Sequence, residues 1–294
     1  KAGYLGGTNI GYTARADESH NSATVVDGSI YGTAVIPYGF ELTVRGTMHR
    51  DKTNFYSTQN KKMGSGAPAG GSIKRTYGQY NSHTFLQELN WSREYGLHHI
   101  DVLLHHENTT YRSDKNGLTA FTQMYEGNSN LSNYVPSDDH PVTINGEIVE
   151  THDESYLGRA RYNYNQKYFG EFSVRRDGTS RFSKENRWGT FWSVGASWII
   201  SKEKFMQNLV WMDYLKLRTA YGSVGNCMSA SAYAYMSLYA STGLPIDGNY
   251  AIIPAQLAAN NVKWEATKTF DIALEGSLFN ERLGFSVGFF NKVN

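Results

Sequence analysis

The chain has 294 residues, 40% hydrophobic and 14% aromatic, with 28 Lys and Arg against 27 Asp and Glu and a formal net charge of +1. That balance gives no electrostatic footprint for nucleic acid, and the single cysteine, Cys227, excludes an intrachain disulfide framework. No apolar run reaches the roughly 18 residues that a membrane helix needs, but a membrane β-strand needs apolar residues only at every second position.

In chain order, residues 1–39 read as an irregular, loop-rich lead-in of Gly, Thr, Asn and Asp. Alternation then begins. In Glu41–Arg50, Leu42, Val44, Gly46 and Met48 share one face, and Glu41, Thr43, Arg45, Thr47 and His49 the other. Asp51–Ser82 contains Lys61-Lys62-Met63-Gly64-Ser65-Gly66-Ala67-Pro68-Ala69-Gly70-Gly71 and reads as a long loop. A hairpin follows. Thr84–Ser92 puts Phe85, Leu89 and Trp91 on one face, Arg93-Glu94-Tyr95-Gly96 makes a turn, and Leu97–Glu107 returns with Ile100, Val102 and Leu104 aligned. Tyr111–Glu154 reads as a second long polar stretch.

The most regular segment runs from Tyr156 to Ile200. Gly158, Ala160, Tyr162 and Tyr164 alternate with Arg159, Arg161, Asn163 and Asn165. A tight turn at Asn165-Gln166-Lys167 leads to Tyr168, Gly170, Phe172 and Val174, and Asp177–Arg181 reads as a loop. Trp188, Thr190, Trp192, Val194, Ala196, Trp198 and Ile200 then form one face of a strand of about a dozen residues. Soluble strands average about 5–6 residues, whereas tilted membrane strands need about 9–11. Ser201–Met206 reads as a short capped helical turn and Tyr214–Tyr221 as a strand, with a further long region over Gly222–Val262. The last hairpin pairs Lys263–Leu278 with Leu283–Asn291 across Phe279-Asn280-Glu281-Arg282.

Short turns near Tyr95, Gln166, Lys204 and Glu281 thus alternate with longer loops near Gly66, Asn130, Gly178–Asn186 and Gly243. That asymmetry belongs to bacterial outer-membrane barrels, with turns in the periplasm and loops outside. About ten strands are expected, all within one all-β, antiparallel transmembrane barrel domain over 1–294. Tyr162, Tyr164, Tyr168, Trp188, Trp192 and Trp198 are expected to face lipid as an aromatic girdle. The chain opens on Lys1 and closes on Asn294 directly after an alternating run, so a fragment of a longer protein is expected.

Specific words in this region narrow the class. They are Arg161-Tyr162-Asn163-Tyr164, Lys167-Tyr168, Ser173–Phe182, Asn186-Arg187-Trp188-Gly189-Thr190-Phe191, and Trp198-Ile199-Ile200-Ser201-Lys202-Glu203-Lys204-Phe205-Met206. Leu215–Arg218, Tyr221-Gly222, Gly225-Asn226, Lys263-Trp264-Glu265, Thr267, Phe279-Asn280 and Arg282-Leu283 continue the pattern. Together they resemble the SusC/RagA-like TonB-dependent transporters of Bacteroidota. The resemblance covers Leu157–Asn294 most fully and Phe40–Glu107 only by its hairpin pattern. It implies a barrel of about 22 strands, of which this chain is a part, with an N-terminal plug that is not within this sequence. It also implies nutrient import across the outer membrane of a Gram-negative bacterium. The cargo would be a glycan or peptide, the lid a SusD-like lipoprotein, and the energy source the TonB complex.

Other chemistry is weaker. His99, Asp101, His105 and Glu107 share a strand face, and His105 and Glu107 are near enough in sequence to share a metal ion, but no zinc-signature spacing occurs. The plain reading is a polar, lumen-facing strand. Arg159, Arg161, Arg175, Arg176, Arg181 and Arg187 read better as wall residues paired with Glu171, Asp177 and Glu185 than as an anion site. No nucleophile elbow, P-loop or paired catalytic carboxylates appear, so no catalytic residue, enzymatic role or cofactor is expected. Tyr125, Tyr134, Tyr233, Tyr235, Tyr239 and Tyr250 either stack on sugars or partners or fold the loops against themselves. A soluble carbohydrate-binding β-sandwich and a non-energised structural or adhesive barrel are the competing readings.

Overall fold

A computed structural model describes residues 10–246 and 249–294. A seven-residue helix, α1 (Ile10–Ala16), precedes twelve strands. These are β1 (Glu18–Ile36), β2 (Phe40–Gln59), β3 (Ser72–Tyr95), β4 (His98–Phe121), β5 (Thr143–Tyr164), β6 (Tyr168–Thr179), β7 (Trp188–Ile199), β8 (Met212–Asn226), β9 (Leu238–Ile246), β10 (Asn249–Gln256), β11 (Glu265–Leu278) and β12 (Leu283–Val293). Ten form one sheet in the order β1-β2-β3-β4-β5-β6-β7-β8-β11-β12, and β9 and β10 pair separately. Neighbours in the sheet are consecutive in sequence except where β9 and β10 intervene, the up-and-down meander of a barrel wall.

The strands are longer than hydrophobic alternation suggested. β1 occupies most of the expected lead-in at 1–39, of which residues 1–9 lie outside the described residues. It lies at one end of the strand order and all of its residues are exposed, so no buried face imposes a period on its sequence. Its β-branched residues (Thr24, Val25, Val26, Ile30, Thr33, Val35 and Ile36) favour the strand instead. Much of the expected loop at Asp51–Ser82 is likewise the end of β2 and the start of β3. Similarly, Tyr111–Glu154 contributes to β4 and β5, and Gly222–Val262 contains the end of β8 and the β9–β10 hairpin, whose strand includes Gly243. Polar residues on both faces hide such strands, while Thr, Tyr and cross-strand hydroxyl pairs sustain them. Thr84 and Thr109 meet at 3.1 Å and Thr33 and Thr43 at 3.0 Å.

The short connections are built by backbone geometry. At the β5–β6 turn, Asn165 and Gln166 take φ of 53° and 50°, and the Lys167 N–H closes the turn on the Tyr164 carbonyl at 3.0 Å. At the β11–β12 turn, Phe279, Asn280 and Glu281 all have positive φ. Two donations hold that unfavourable run: the Phe279 N–H to the Trp211 carbonyl and the Glu281 N–H to Asp213 Oδ2, both 3.0 Å. Between β1 and β2, Pro37–Gly39 makes a single 3₁₀ turn whose Tyr38 carbonyl accepts from Trp91 Nε1 and Arg93 Nε. The β7–β8 connection contains two 3₁₀ turns, Ile200–Lys202 and Lys204–Met206, without the expected side-chain cap.

The chain divides into two compact units. One comprises the described part of Lys1–Ser29 with Thr47–His83 and Tyr111–Glu150. Its core is Ile73, Ala120 and Tyr134, with Tyr56 and Leu118 packed against them. Tyr134 is only 6% exposed, so this loop tyrosine folds its own loop instead of offering a binding surface. Asn133 braces the same loop, donating to the carbonyls of Tyr125 and Asn128 at 2.6 and 2.7 Å. The other unit comprises Ile30–Gly46, Thr84–Thr110 and Thr151–Asn294, and it holds the features developed below.

Candidate functional site

Strand register in the second unit sorts the side chains onto two chemically distinct faces. β6 is antiparallel to β5 and β7, with Tyr164, Tyr168 and Trp198 in line, then Ala160, Phe172 and Val194. Val194 continues to Tyr221 of β8 and on to Phe270 of β11, and Ile272 pairs with Phe289 of β12. This face is apolar yet open. Phe172, Trp192, Val194, Tyr221 and Phe289 are all exposed. All six of the proposed girdle residues, Tyr162, Tyr164, Tyr168, Trp188, Trp192 and Trp198, lie on it. Five of them fall into two clusters, and Trp192 packs edge-on against Tyr221 between these. Tyr164, Tyr168 and Trp198 are stacked or tilted side by side, with Tyr162 and Tyr164 against His98. Tyr156 and Trp188 meet at the other end with centroids 6.2 Å apart.

The opposite face is charged and internally paired. Arg161 Nε donates to Glu171 at 2.6 Å and Arg175 Nε to Asp177 at 2.7 Å. Arg218 bridges Asp271 and Glu275, each at 2.7 Å. His99 sits 2.9 Å from Asp101, and His105 lies between Glu88 and Glu107 at 3.5 and 3.8 Å. His105 Nε2 and Glu107 therefore only approach each other, at 3.8 Å, and among the described residues no three His, Cys, Asp or Glu side chains gather to hold a metal. A groove of about 520 Å³ on this face is lined by His99, Asp101, Arg161, Glu171, Lys216 and Arg218. Of the six arginines expected on this wall, Arg176 departs: it lies on the apolar face, 5.3 Å over the Trp188 ring. Arg181 and Arg187 belong to the β6–β7 connection, where Arg181 donates to the Ala230 carbonyl.

Two knots fix the ends of these strands. At the turn end Glu203 gathers three donors: Tyr168 Oη at 2.5 Å, Trp198 Nε1 at 3.1 Å and Lys167 Nζ at 3.2 Å. One carboxylate thus ties the β5–β6 turn to the β7–β8 connection and satisfies the polar tips of two aromatic residues. At the loop end Phe182, 1% exposed, packs edge-on against Trp264, and Phe191 does the same from another side, at 5.7 and 5.5 Å. Trp264 Nε1 donates to the Arg187 carbonyl at 3.0 Å, and Ser183 and Asn186 both donate to the Asn260 carbonyl. The Phe191 ring lies where a side chain at Gly225 would begin, its Cζ 2.0 Å from an added Cβ, so residue 225 accepts only glycine here.

A family model described as TonB dependent receptor-like, beta-barrel matches residues 2–293. The chain belongs to the TonB-dependent receptor-like β-barrel family. It is 30% identical over 257 residues to TonB-dependent receptor P3 of Formosa agariphila, covering 81% of this chain and 25% of that protein. It is 36% identical over 146 residues to TonB-dependent receptor SusC of Bacteroides thetaiotaomicron, covering 48% of this chain and 15% of SusC. The chain thus spans about a quarter or less of these curated relatives. Among solved structures, the RagAB peptide transporter matches 94% of this chain and 30% of its own, with a TM-score of 0.84 at 21% identity. The siderophore receptor PiuA from Acinetobacter baumannii matches 92% of this chain and 40% of its own, with a TM-score of 0.52 at 13% identity. At these identities the structural likeness shows the fold, an antiparallel barrel wall.

The knots give physical content to the words that resembled this receptor family. Lys167-Tyr168 and Trp198 through Glu203 converge on one carboxylate; Phe182, Asn186, Phe191, Gly225 and Trp264 converge on one aromatic cluster. Glu203 itself carries no periodic signal and could be singled out only as part of its motif. Hydrogen bonds, first from Tyr168 and then from Trp198 and Lys167, hold the Glu203 carboxyl below its ordinary 4.5. A lowered value means that the carboxylate stabilises the receptor barrel above the ordinary range, and that this contribution fades as pH falls through the lowered value. Glu203→Gln is expected to lower the thermal midpoint at pH 7, read by heat-modifiable gel mobility. The deficit relative to the parent should shrink on acidification below 4.5. An equal deficit at both pH values would refute the charge-based account.

Proposed function

We propose that this chain is part of the membrane wall of an outer-membrane, TonB-dependent importer in a Gram-negative bacterium, moving an oligomeric nutrient such as a glycan or peptide. The carrying observation is the continuous apolar face from β5 to β12 backed by a charged one, within a barrel domain of this receptor family. Trp188 and Trp198 bracket β7. Ten residues at roughly 3.3 Å each, tilted by about 40°, span roughly 25 Å across the bilayer, close to the height of the apolar band of outer-membrane barrels. On this reading Tyr162, Tyr164, Tyr168 and Trp198 lie at the periplasmic interface and Trp188 at the outer one, with Trp192 in the band. The paired charges face the lumen, where they are tolerated.

The class of receptor supports energised import. Family membership leaves no place for the soluble-sandwich alternative. The solved relative is named for peptide transport, which favours a peptide as much as a glycan cargo. A SusD-like lipoprotein over the outer mouth belongs to the same proposal. The test is uptake of labelled oligosaccharides and oligopeptides by cells with and without the full-length gene. Loss of uptake of one class on deletion, and its collapse when a protonophore is added, is the expected result. Uptake that survives the protonophore would instead indicate a non-energised barrel.

A further inference from the structure

The apolar face is interrupted by a groove of about 530 Å³, with Gly158 of β5 as its floor. Leu89 of β3, Leu104 of β4 and Val174 of β6 flank it. A Cβ added at Gly158 would just touch Leu104 Cδ2 and Val174 Cγ1, both at 3.8 Å, so any larger side chain there would fill the space. Its volume falls within the range of small-molecule clefts, about 300–1,000 Å³. One end of the groove is polar. His106 and Tyr156 stack there with centroids 4.6 Å apart, and Arg176 closes that end.

Arg176 places a charge on the apolar face, over the Trp188 ring. Arg161, Arg175 and Arg218 each pair with a carboxylate. Among the described residues Arg176 makes no ion pair; it is exposed and has only the Trp188 ring beneath it. The nearby carboxylate, Glu154, is engaged by the Tyr156 hydroxyl at 2.5 Å and by His106 Nε2 at 3.3 Å. Glu88 and His105 also border the groove, but their side chains belong to the opposite face, where they lie 3.5 Å apart. A guanidinium is the side chain best shaped for bidentate contact with phosphate oxygens.

We infer that this groove binds one phosphate-bearing lipid of the surrounding bilayer, with an acyl chain over Gly158 and the phosphate on Arg176. Lipid is the fitting occupant because the groove runs along an apolar face and ends at an unpaired cation beside an aromatic cluster. Such a cluster marks the interface level where headgroup phosphates lie. The inference rests on the reading that this face meets the bilayer, and its test separates the two.

The full-length receptor containing this chain is delipidated in detergent and titrated with dioleoylphosphatidylglycerol or dioleoylphosphatidylcholine. Adducts are counted by native mass spectrometry. One phosphatidylglycerol is expected to bind first. Arg176→Gln should weaken the phosphatidylglycerol adduct about fivefold, the usual contribution of one basic residue at an anionic surface, and the phosphatidylcholine adduct less, because its phosphate is offset by its own choline. Gly158→Leu should weaken both lipids. Heat-modifiable mobility identical to the parent in both variants would show that the barrel is intact. Equal affinity of the parent and Arg176→Gln for phosphatidylglycerol would overturn the inference while leaving the barrel reading untouched. So would a parent that takes up no lipid at this groove because a second copy covers it, seen as a doubled mass. A parent that fails to insert into bilayers at all would remove the lipid-facing reading and the groove with it.

Discussion

Phe182→Ala is expected to cost the loop end of this wall about 3–5 kcal/mol, the range for emptying a buried aromatic site. Phe182 is 1% exposed and its ring meets Trp264 edge-on, so truncation leaves a void and strips Trp264 of one of its two aromatic partners. The damage should be local. The ladders from β5 to β12 do not depend on Phe182, but the β6–β7 connection is held to the segment before β11 through Trp264 and the Asn260 carbonyl. The readout is limited proteolysis of the folded barrel. Cleavage within 180–187 and 227–264 should accelerate by a hundredfold or more, following the population of the opened loop, while heat-modifiable mobility persists. Phe182→Leu should recover most of the protection. Unchanged cleavage in Phe182→Ala would show that the aromatic knot does not hold these loops.

Val194→Arg should have its effect on assembly. Val194 is 45% exposed and stands in register with Phe172 and Tyr221, midway between the two aromatic clusters. A charge there, at the level of the bilayer centre, costs about 2–4 kcal/mol. Gly195→Arg, one residue further on, is the matched control. Gly195 lies in register with Glu171 on the charged face, and an added Cβ meets nothing closer than the Thr219 carbonyl at 3.7 Å. The expected result is loss of the compact, heat-modifiable band for Val194→Arg and its retention for Gly195→Arg. Assembly of both to the parent level would count against the assignment of faces.

What was legible in the sequence depended on what each residue has to face. β7 is readable nearly to its ends, Trp188–Ile200 expected and Trp188–Ile199 found, because one of its faces is apolar at every position but Thr190. The turns at Asn165-Gln166-Lys167 and Phe279–Arg282 were readable because so few residues separate their strands. β1 was hidden because it has no buried side, and the outer lengths of β3 and β4 because both of their faces are polar. The two knots were visible only as motif words. Arg187 and Trp264 are 77 positions apart and Tyr168 and Glu203 are 35 apart, so no local spacing announces either contact. Arg176 shows the opposite failure. Residue type groups it with the wall arginines, and only register reveals that it stands on the apolar face.

On the proposed reading, the face bearing Trp192, Val194 and Ala196 meets lipid while Ser193, Gly195 and Ser197 face the lumen. The most direct measurement is nitroxide scanning of these six positions in the full-length receptor in bilayers, comparing collision with dissolved oxygen against a water-soluble nickel chelate. Oxygen accessibility should peak at residues 192, 194 and 196, and nickel accessibility, where solvent reaches, at 193, 195 and 197. An absent alternation, or one of opposite phase, would overturn this assignment of the two faces.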